Sequence, residues 1–425
     1  MNAADARAVG ELLDDFARLT EPGPGVTRLA YSPLEREAHA RFAERMQALG
    51  CAIRVDEAGN TIAELPGTDP DARAIGTGSH LDSVYEGGRF DGVAGVVAGM
   101  ELVRLLVEGG EPLTHPVRVV AFAGEEGARF GQACLGSRFA AGLTPRPLVD
   151  ELVDRDGIPL ADAMRALGFD ADRAATARWD PSEWAVFLEL HIEQGRVLQD
   201  SGAALGPVDS ISGSTRLSFT LHGRPSHTGG TPMAGRADAL AAAAEAVLTA
   251  EQLATDHAHR GTRATVGRLE VSPNSITTIP GRVTFSLDVR DVDADRQRSA
   301  TTEIVSRVMA TARRRGVGVD VRLIADTSPV ILPLWVRNAL VQAAVSGGSS
   351  YRVLSSGASH DAQMINTIVP TGMLFVPSRD GLSHVPEEWT DASEIAVGVD
   401  ALVAAVRALD AQLAAARDER VAAGR

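Results

Sequence analysis

Five short segments hold most of the residues in this chain that could carry out chemistry. They are TGSHLDSV around His80, GGRFDGVAGV around Asp91, AGEEGARFG around Glu125 and Glu126, LELHIEQG around His191, and LSHVPEE around His384. In each, a histidine or carboxylate stands among Gly and Ser beside an apolar run. Neutral imidazole and carboxylate oxygen are ligands that Zn, Mn, Co and Ni accept readily. Brought together, the segments supply two His-plus-carboxylate sets and one shared carboxylate. That is the minimum for a hydrolase in which two cations about 3.5–4 Å apart activate water and polarise a carbonyl.

Each segment also has a plainer reading. Asp82, two residues after His80, can hold the second ring nitrogen of a ligating imidazole, or the pair can be an ordinary His and Asp. Asp91 can cap the helix that follows it, bridge two ions, or do both. Adjacent residues on a strand point to opposite faces, but in the loop after it Glu125 and Glu126 can approach one cavity. One would then ligate and the other take a proton from water; the alternative is an exposed acidic loop. His191 ends the apolar run AVFLEL and is a ligand or a core histidine, with Glu193 and Gln194 beside it. His384 shares its loop with Gly381 and Ser383. His360, in SSGASHDAQM, is a further candidate to which spacing gives no role.

Composition removes several chemistries. All 41 Lys+Arg residues are Arg. Without lysine there is no Schiff base for pyridoxal phosphate or aldol chemistry and no Walker lysine for ATP. Catalysis rests on carboxylates, His, Ser or metal. The net charge is −15, which repels a phosphate backbone. The densest basic cluster, Arg313 to Arg315, reads as charge complementing a helix C-terminus, so nucleic acid is not an expected partner. An anionic small substrate stays open, because one buried Arg outweighs a distant average. Two cysteines, Cys51 and Cys134, are too few for a disulfide framework, and Cys51 reads as a buried thiol. The N-terminal segment lacks a basic n-region and an apolar h-region and is not read as a signal peptide. No stretch approaches the ~18 apolar residues of a membrane span. The expected location is the cytoplasm, with no membrane partner.

The elements that must position these residues fall into two patterns. The 425 residues exceed the roughly 250–300 at which one core stops growing. Residues 1–49 have helical periodicity, ending at Gly50 as a helix stop. CAIRVDEAGNTIAEL reads as two strands around a turn. AIGTGSHLDSV is a strand opening into a loop, GVAGVVAGMELVRLLVEG a buried helix, and VRVVAFAGEEG a strand ending at paired carboxylates. Sites in such open α/β sheets gather at the carboxyl ends of strands. From Ser212 the pattern becomes βαββαβ: STRLSFTLHG, an Ala-rich helix, ATVGRLEVSP, GRVTFSLDVR, a second helix and VGVDVRLIAD. The Ala-rich helix face is expected to pack against a partner in a C2 dimer. After Pro329 α/β character resumes, and the terminal Ala/Arg/Glu stretch is expected to be a helix fraying into a tail. The fold class expected is α/β, with a mixed-sheet catalytic domain (1–211 and 329–425) interrupted by an α+β domain (212–328).

The ordered series HLDSV, GGRFDG, EEGARFG, HIEQG, RPSHTGGTPM, SPNSITTIPG, DVR, SGASHDA and SHVPEE resembles the amidase, hydantoinase/carbamoylase branch of the M20 metallopeptidase family. The resemblance runs from about residue 25 to 410. That branch includes N-carbamoyl-L-amino acid hydrolases, β-ureidopropionases and allantoate amidohydrolases. The resemblance implies two divalent metal ions per subunit, one on His80, Asp91 and His191, the other on Asp91, Glu126 and His384. It implies Glu125 as general base and Asp82 as the residue orienting His80. Gln194, His227, Asn274 and Arg290 would bind substrate, Arg216 is a weaker candidate, and Gly357 and Ala358 would line the pocket with backbone groups. Arg290 would take the substrate α-carboxylate, and His227 would donate to the developing oxyanion. The inserted domain would be a lid and dimerisation domain. The implied reaction is cleavage of the ureido C–N bond of an N-carbamoyl-L-amino acid to amino acid, CO2 and ammonia. Allantoate hydrolysis is the alternative, an M20 aminoacylase or dipeptidase a more distant one, and a non-catalytic ureido-acid binder a rival of another class. Two departures bear on specificity: Ser359 stands where the family has Gly, and Thr228-Gly229-Gly230 stands where it has Ala-Gly-Thr.

Overall fold

A computed structural model describes residues 3–110 and 112–422, the last five by backbone alone. The chain divides into two compact units, residues 1–209 with 331–425, and residues 210–330.

The first unit is built on a mixed sheet. Its strand order is Ala52–Val55, Thr61–Leu65, Val117–Phe122, Ala74–His80, Trp184–Ile192, Thr371–Val376, Gly206–Ile211 and Val330–Ile331, with Leu354–Ser356 also paired to Gly206–Ile211. The four central strands, from Val117–Phe122 to Thr371–Val376, run parallel. Ala52–Val55 with Thr61–Leu65, Thr61–Leu65 with Val117–Phe122, and Thr371–Val376 with Gly206–Ile211 pair antiparallel. Parallel strands covered on both faces read as continuous apolar runs, and every residue of Ala74–His80, Trp184–Ile192 and Thr371–Val376 is buried. Helix Val93–Gly109 buries 13 of its 17 residues and packs with the closing helix Ala392–Ala422 in one apolar cluster. Small residues permit close approach: a Cβ on Gly95 would stand 2.3 Å from the Leu190 carbonyl oxygen. The fraying expected past Ala422 lies outside the described residues.

The second unit is α+β. Antiparallel strands run in the order Leu269–Ser272, Arg282–Asp291, Gly213–His222 and Gly318–Thr327, with Arg263–Thr265 also on Arg282–Asp291. Alternate residues Leu217, Phe219, Leu221, Val283, Phe285, Leu287 and Val289 face helices Ala239–Thr255 and Ala294–Arg314 in one core. The Phe219 and Phe285 rings stack with centroids 4.8 Å apart.

One expectation needs correction here, and one is extended. Ala239, Ala242, Ala243, Ala246 and Ala250 all lie inside that core, so the alanine face is used within the unit and is not left for a partner. Arg314 and Arg315 also do more than complement a helix end, since both pair with Glu245. Among the described residues no helix is long and apolar enough to cross a membrane.

Candidate metal and substrate site

The four parallel strands end at the candidate residues. Ala74–His80 runs into Asp82, Val117–Phe122 into Glu125 and Glu126, and Trp184–Ile192 into Gln194. Thr371–Val376 leads to the loop with His384. Asp91 lies before helix Val93–Gly109. Its carboxylate does not cap that helix, whose N-cap is Gly92 without a side-chain bond. It is turned instead toward three imidazoles. Asp91 Oδ1 is 3.5 Å from His80 Nε2 and 3.2 Å from His191 Nε2, and Oδ2 is 3.4 Å from His384 Nε2. His384 Nε2 is also 3.2 Å from Glu126 Oε1.

Hydrogen bonds fix which ring nitrogen faces inward. His191 Nδ1 donates to the Ile192 carbonyl at 2.9 Å, while Nε2 accepts from the Gly92 N–H at 3.3 Å. His80 Nδ1 points at the Asp82 carbonyl (3.2 Å) and Oδ1 (3.4 Å). Both rings therefore turn Nε2 to the cavity, as a ligating imidazole held by a carbonyl or carboxylate does. Two donor groups result, His80–Asp91–His191 and Asp91–Glu126–His384, with ligand atoms in each within 4.8 Å of one another and Asp91 in both. Glu189, His191 and His360 form a third group that shares His191.

The electrostatics fit a cation. Burial opposes a charged His191, yet its bond to Asp91 lifts the pKa to about 8. Burial likewise opposes a His384 cation, and Glu126 and Asp91 raise it to about 11. Burial penalises an ionised Asp91, but its bonds to the three histidines hold it well below the usual carboxylate range. A site that draws positive charge onto its imidazoles has the donor set for divalent ions.

Glu125 and Glu126 are 6% and 8% exposed, so the acidic loop is not a solvated one. Its backbone is held by two buried carboxylates. Asp82 Oδ1 and Oδ2 accept from the Glu125 and Glu126 N–H groups at 2.8 and 3.0 Å, and Glu35 accepts from the Gly124 N–H at 2.7 Å. The Cys134 thiol donates to Glu125 Oε1 at 2.9 Å, leaving Oε2 3.8 Å from His80 Nε2. Burial pushes the Glu125 pKa well above the ordinary value; the His80 imidazole opposes the rise, and the Glu126 and Asp361 charges add to it.

A model of peptidase family M20/M25/M40 matches residues 76–408. The chain belongs to this family. It is 39% identical to an N-carbamoyl-L-amino-acid amidohydrolase of Paenarthrobacter aurescens, over 96% of this chain and 99% of that one. It is 37% identical to an allantoate amidohydrolase of Escherichia coli, over 90% and 92%. The crystal structure of an amidase of the hydantoinase/carbamoylase family from Burkholderia vietnamiensis matches with a TM-score of 0.89 at 34% identity, over 96% and 97%.

On this family scaffold Gln194 Nε2 donates to Asp91 Oδ2 at 2.6 Å, and its Oε1 is buried without a partner among the described residues. Gly357, Ala358 and Ser359 are half-buried. Ser356 Oγ holds the Ala358 N–H at 3.1 Å and the His360 ring at 2.8 Å. His227, Asn274, Arg216 and Arg290 belong to the second unit. There the Gly229 and Gly230 N–H groups both donate to His227 Nδ1 at 3.0 Å. The proton of neutral His227 is thereby placed on Nε2. Arg236 grips the same loop through the Thr228 and Thr231 carbonyls at 2.7 and 2.5 Å. Asn274, with φ 55°, is exposed. Arg216 and Arg290 stand on the sheet face away from the helices and share Asp288 Oδ2, at 3.3 Å from Arg216 Nε and 3.0 Å from Arg290 Nη2.

Sequence reasoning named Cys134 and Ser383 without giving them a role, and passed over Glu35, Arg236, Asp288 and Glu388. Ser383 and Glu388 lie inside the LSHVPEE segment already singled out, but nothing in one sequence separates buried Glu388 from its exposed neighbour Glu387.

Proposed function

We propose that this chain is a binuclear-metal amidohydrolase that cleaves the ureido C–N bond of N-carbamoyl-L-amino acids. The observation that carries the proposal is Asp91, one carboxylate facing two donor groups with buried Glu125 beside them. His80, Asp91 and His191 would hold one ion, and Asp91, Glu126 and His384 the other. When bound, Zn, Mn, Co or Ni supplies Lewis-acid polarisation of the carbamoyl oxygen and water activated at neutral pH.

The remaining work falls to the side chains. Glu125 takes a proton from the attacking water and returns it to the amino acid nitrogen as the C–N bond breaks. The carbamic acid so released gives CO2 and ammonia. Cys134 fixes one oxygen of Glu125, and Asp82 holds both the loop and the His80 ring. His227 donates from Nε2 to the oxyanion; Arg290, assisted by Arg216, takes the substrate carboxylate in a planar fork. Gln194 and Asn274 complete the polar contacts, and Gly357 and Ala358 offer backbone groups.

We further propose that residues 212–328 act as a lid and dimerisation domain, bringing His227 and Asn274 to the substrate on closure or from a partner subunit. The large exposed apolar side chains of this unit, Ile276 at 96% and Met233 at 77%, support a covered state. Likeness to the E. coli enzyme supports allantoate as the second substrate reading. Ammonia release by metal-loaded protein from N-carbamoyl-L-amino acids and from allantoate, beside free amino acid release from N-acetyl-amino acids, tests the assignment. Turnover of the first is expected. Turnover of allantoate alone moves the protein to the second reading, and turnover of acetyl-amino acids alone rejects both.

A further inference from the structure

Glu388 takes no part in the chemistry described above, yet it joins the two loops that carry Asp91 and His384. It is 1% exposed. Its Oε1 accepts from the Phe90 N–H at 2.9 Å and the Asp91 N–H at 3.1 Å. Its Oε2 lies 2.7 Å from Ser383 Oγ, and that hydroxyl lies 2.8 Å from Asp91 Oδ2. The loop is laid closely on the carboxylate: a Cβ on Gly88 would fall 2.1 Å from Glu388 Cδ. One side chain thus fixes the backbone of Asp91 from behind and, through Ser383, the oxygen of Asp91 that faces His384.

We propose that Glu388 is the positioning residue for Asp91. Through the Phe90 and Asp91 N–H groups and the Ser383 hydroxyl it sets the carboxylate rotation that turns Oδ1 to His80 and His191 and Oδ2 to His384. This inference rests on the reading of Asp91 as a shared metal ligand. Outer hydrogen bonds of this kind typically change metal affinity by about 10–100-fold when removed.

The geometry predicts an unusual order among variants. In Glu388→Gln, Oε1 still accepts both N–H groups, and Nε2 donates to Ser383 Oγ, whose proton then goes to Asp91. Every contact is kept. Glu388→Ala leaves two buried N–H groups unpartnered and frees Ser383. Ser383→Ala removes the hydroxyl that meets Glu388 Oε2, Asp91 Oδ2 and Gln194 Nε2, and leaves both N–H bonds to Glu388 Oε1 in place.

The test is Co2+ binding to metal-free full-length protein, followed by titration calorimetry and by the visible absorption of bound Co2+, with thermal unfolding of the metal-free forms alongside. The parent and Glu388→Gln should bind alike and share one absorption spectrum. Glu388→Ala and Ser383→Ala should bind at least one ion about 10–100-fold more weakly with altered bands, and Ser383→Ala should unfold like the parent. If Glu388→Ala does not fold, Ser383→Ala against Glu388→Gln decides. Parent affinity and parent bands in the folded Ala variants overturn the proposal. If the parent binds one ion, the two-ion reading fails and the same comparison is made on that ion. If it binds none, both readings fall.

Discussion

Asp91 and Glu125 show how burial and neighbours divide labour among similar carboxylates. Asp91, among three imidazoles, is held ionised as a ligand must be. Glu125, enclosed and next to Glu126, is pushed toward the proton-bound form, which suits a group that must pick up a proton and release it. Glu125→Gln should retain both ions and lower kcat by about 10²–10⁴-fold; near-normal turnover in a metal-replete variant would remove Glu125 from the mechanism. His227→Ala should lower kcat by about 10²–10³-fold without loss of metal, measured by steady-state kinetics beside metal analysis. A loss confined to KM would instead make His227 a ground-state contact. At this scale residue type was legible, because His and carboxylates in Gly-rich loops after apolar runs announce themselves. Partnership was not. Asp91 could not be told from a helix cap, nor Glu388 from Glu387, because the contacts that decide lie some 300 residues away in sequence.

Elements act through how closely they can stack. The strands bearing His80 and His191 and the helix after Asp91 meet where Gly95 sits 2.3 Å (as a Cβ) from the Leu190 carbonyl and 2.7 Å from Ser79 Cβ. Gly95→Ala should cost about 1–3 kcal/mol, the usual range for overpacking, and weaken metal binding as the helix is pushed away. An unchanged melting temperature and affinity would show that the packing is looser than described. A second element contact is set by charge. Asp15, on helix Ala6–Ala17, pairs with Arg41 and Arg45 on Pro33–Ala48 at 2.6 and 2.5 Å. Burial opposes its ionisation, but the two guanidiniums win and lower its pKa below 3.8. A depressed folded pKa means stabilisation present above 3.8 and lost as pH falls through the folded value. Asp15→Asn should therefore lower the melting temperature at neutral pH, with the gap from the parent closing in acid. A gap independent of pH would assign the effect to packing. The mixed α/β fold was legible in the alternation of apolar runs with loops. Breaks within runs were not: the ATVGRLEVSP segment falls in two strands, Arg263–Thr265 and Leu269–Ser272, because Val266, Gly267 and Arg268 stand opposite only Ser286 and Leu287, a bulge that interrupts the ladder.

For the whole molecule, the parallel strands turn a scattered sequence into one site, since each delivers its residues at the same sheet edge. The second unit carries His227, whose Nδ1 accepts from two glycine amides. The lid and dimerisation role we propose for it predicts a sedimentation mass about twice the 44.6 kDa of one chain at micromolar protein. A monomer of full activity would reject the dimer and require His227 to arrive within one chain. The most direct test of the central claim is ammonia release from an N-carbamoyl-L-amino acid as metal is added back to metal-free protein. No turnover is expected without metal, and full turnover at two ions per chain. Full turnover at one ion, or silence with two bound, would contradict it.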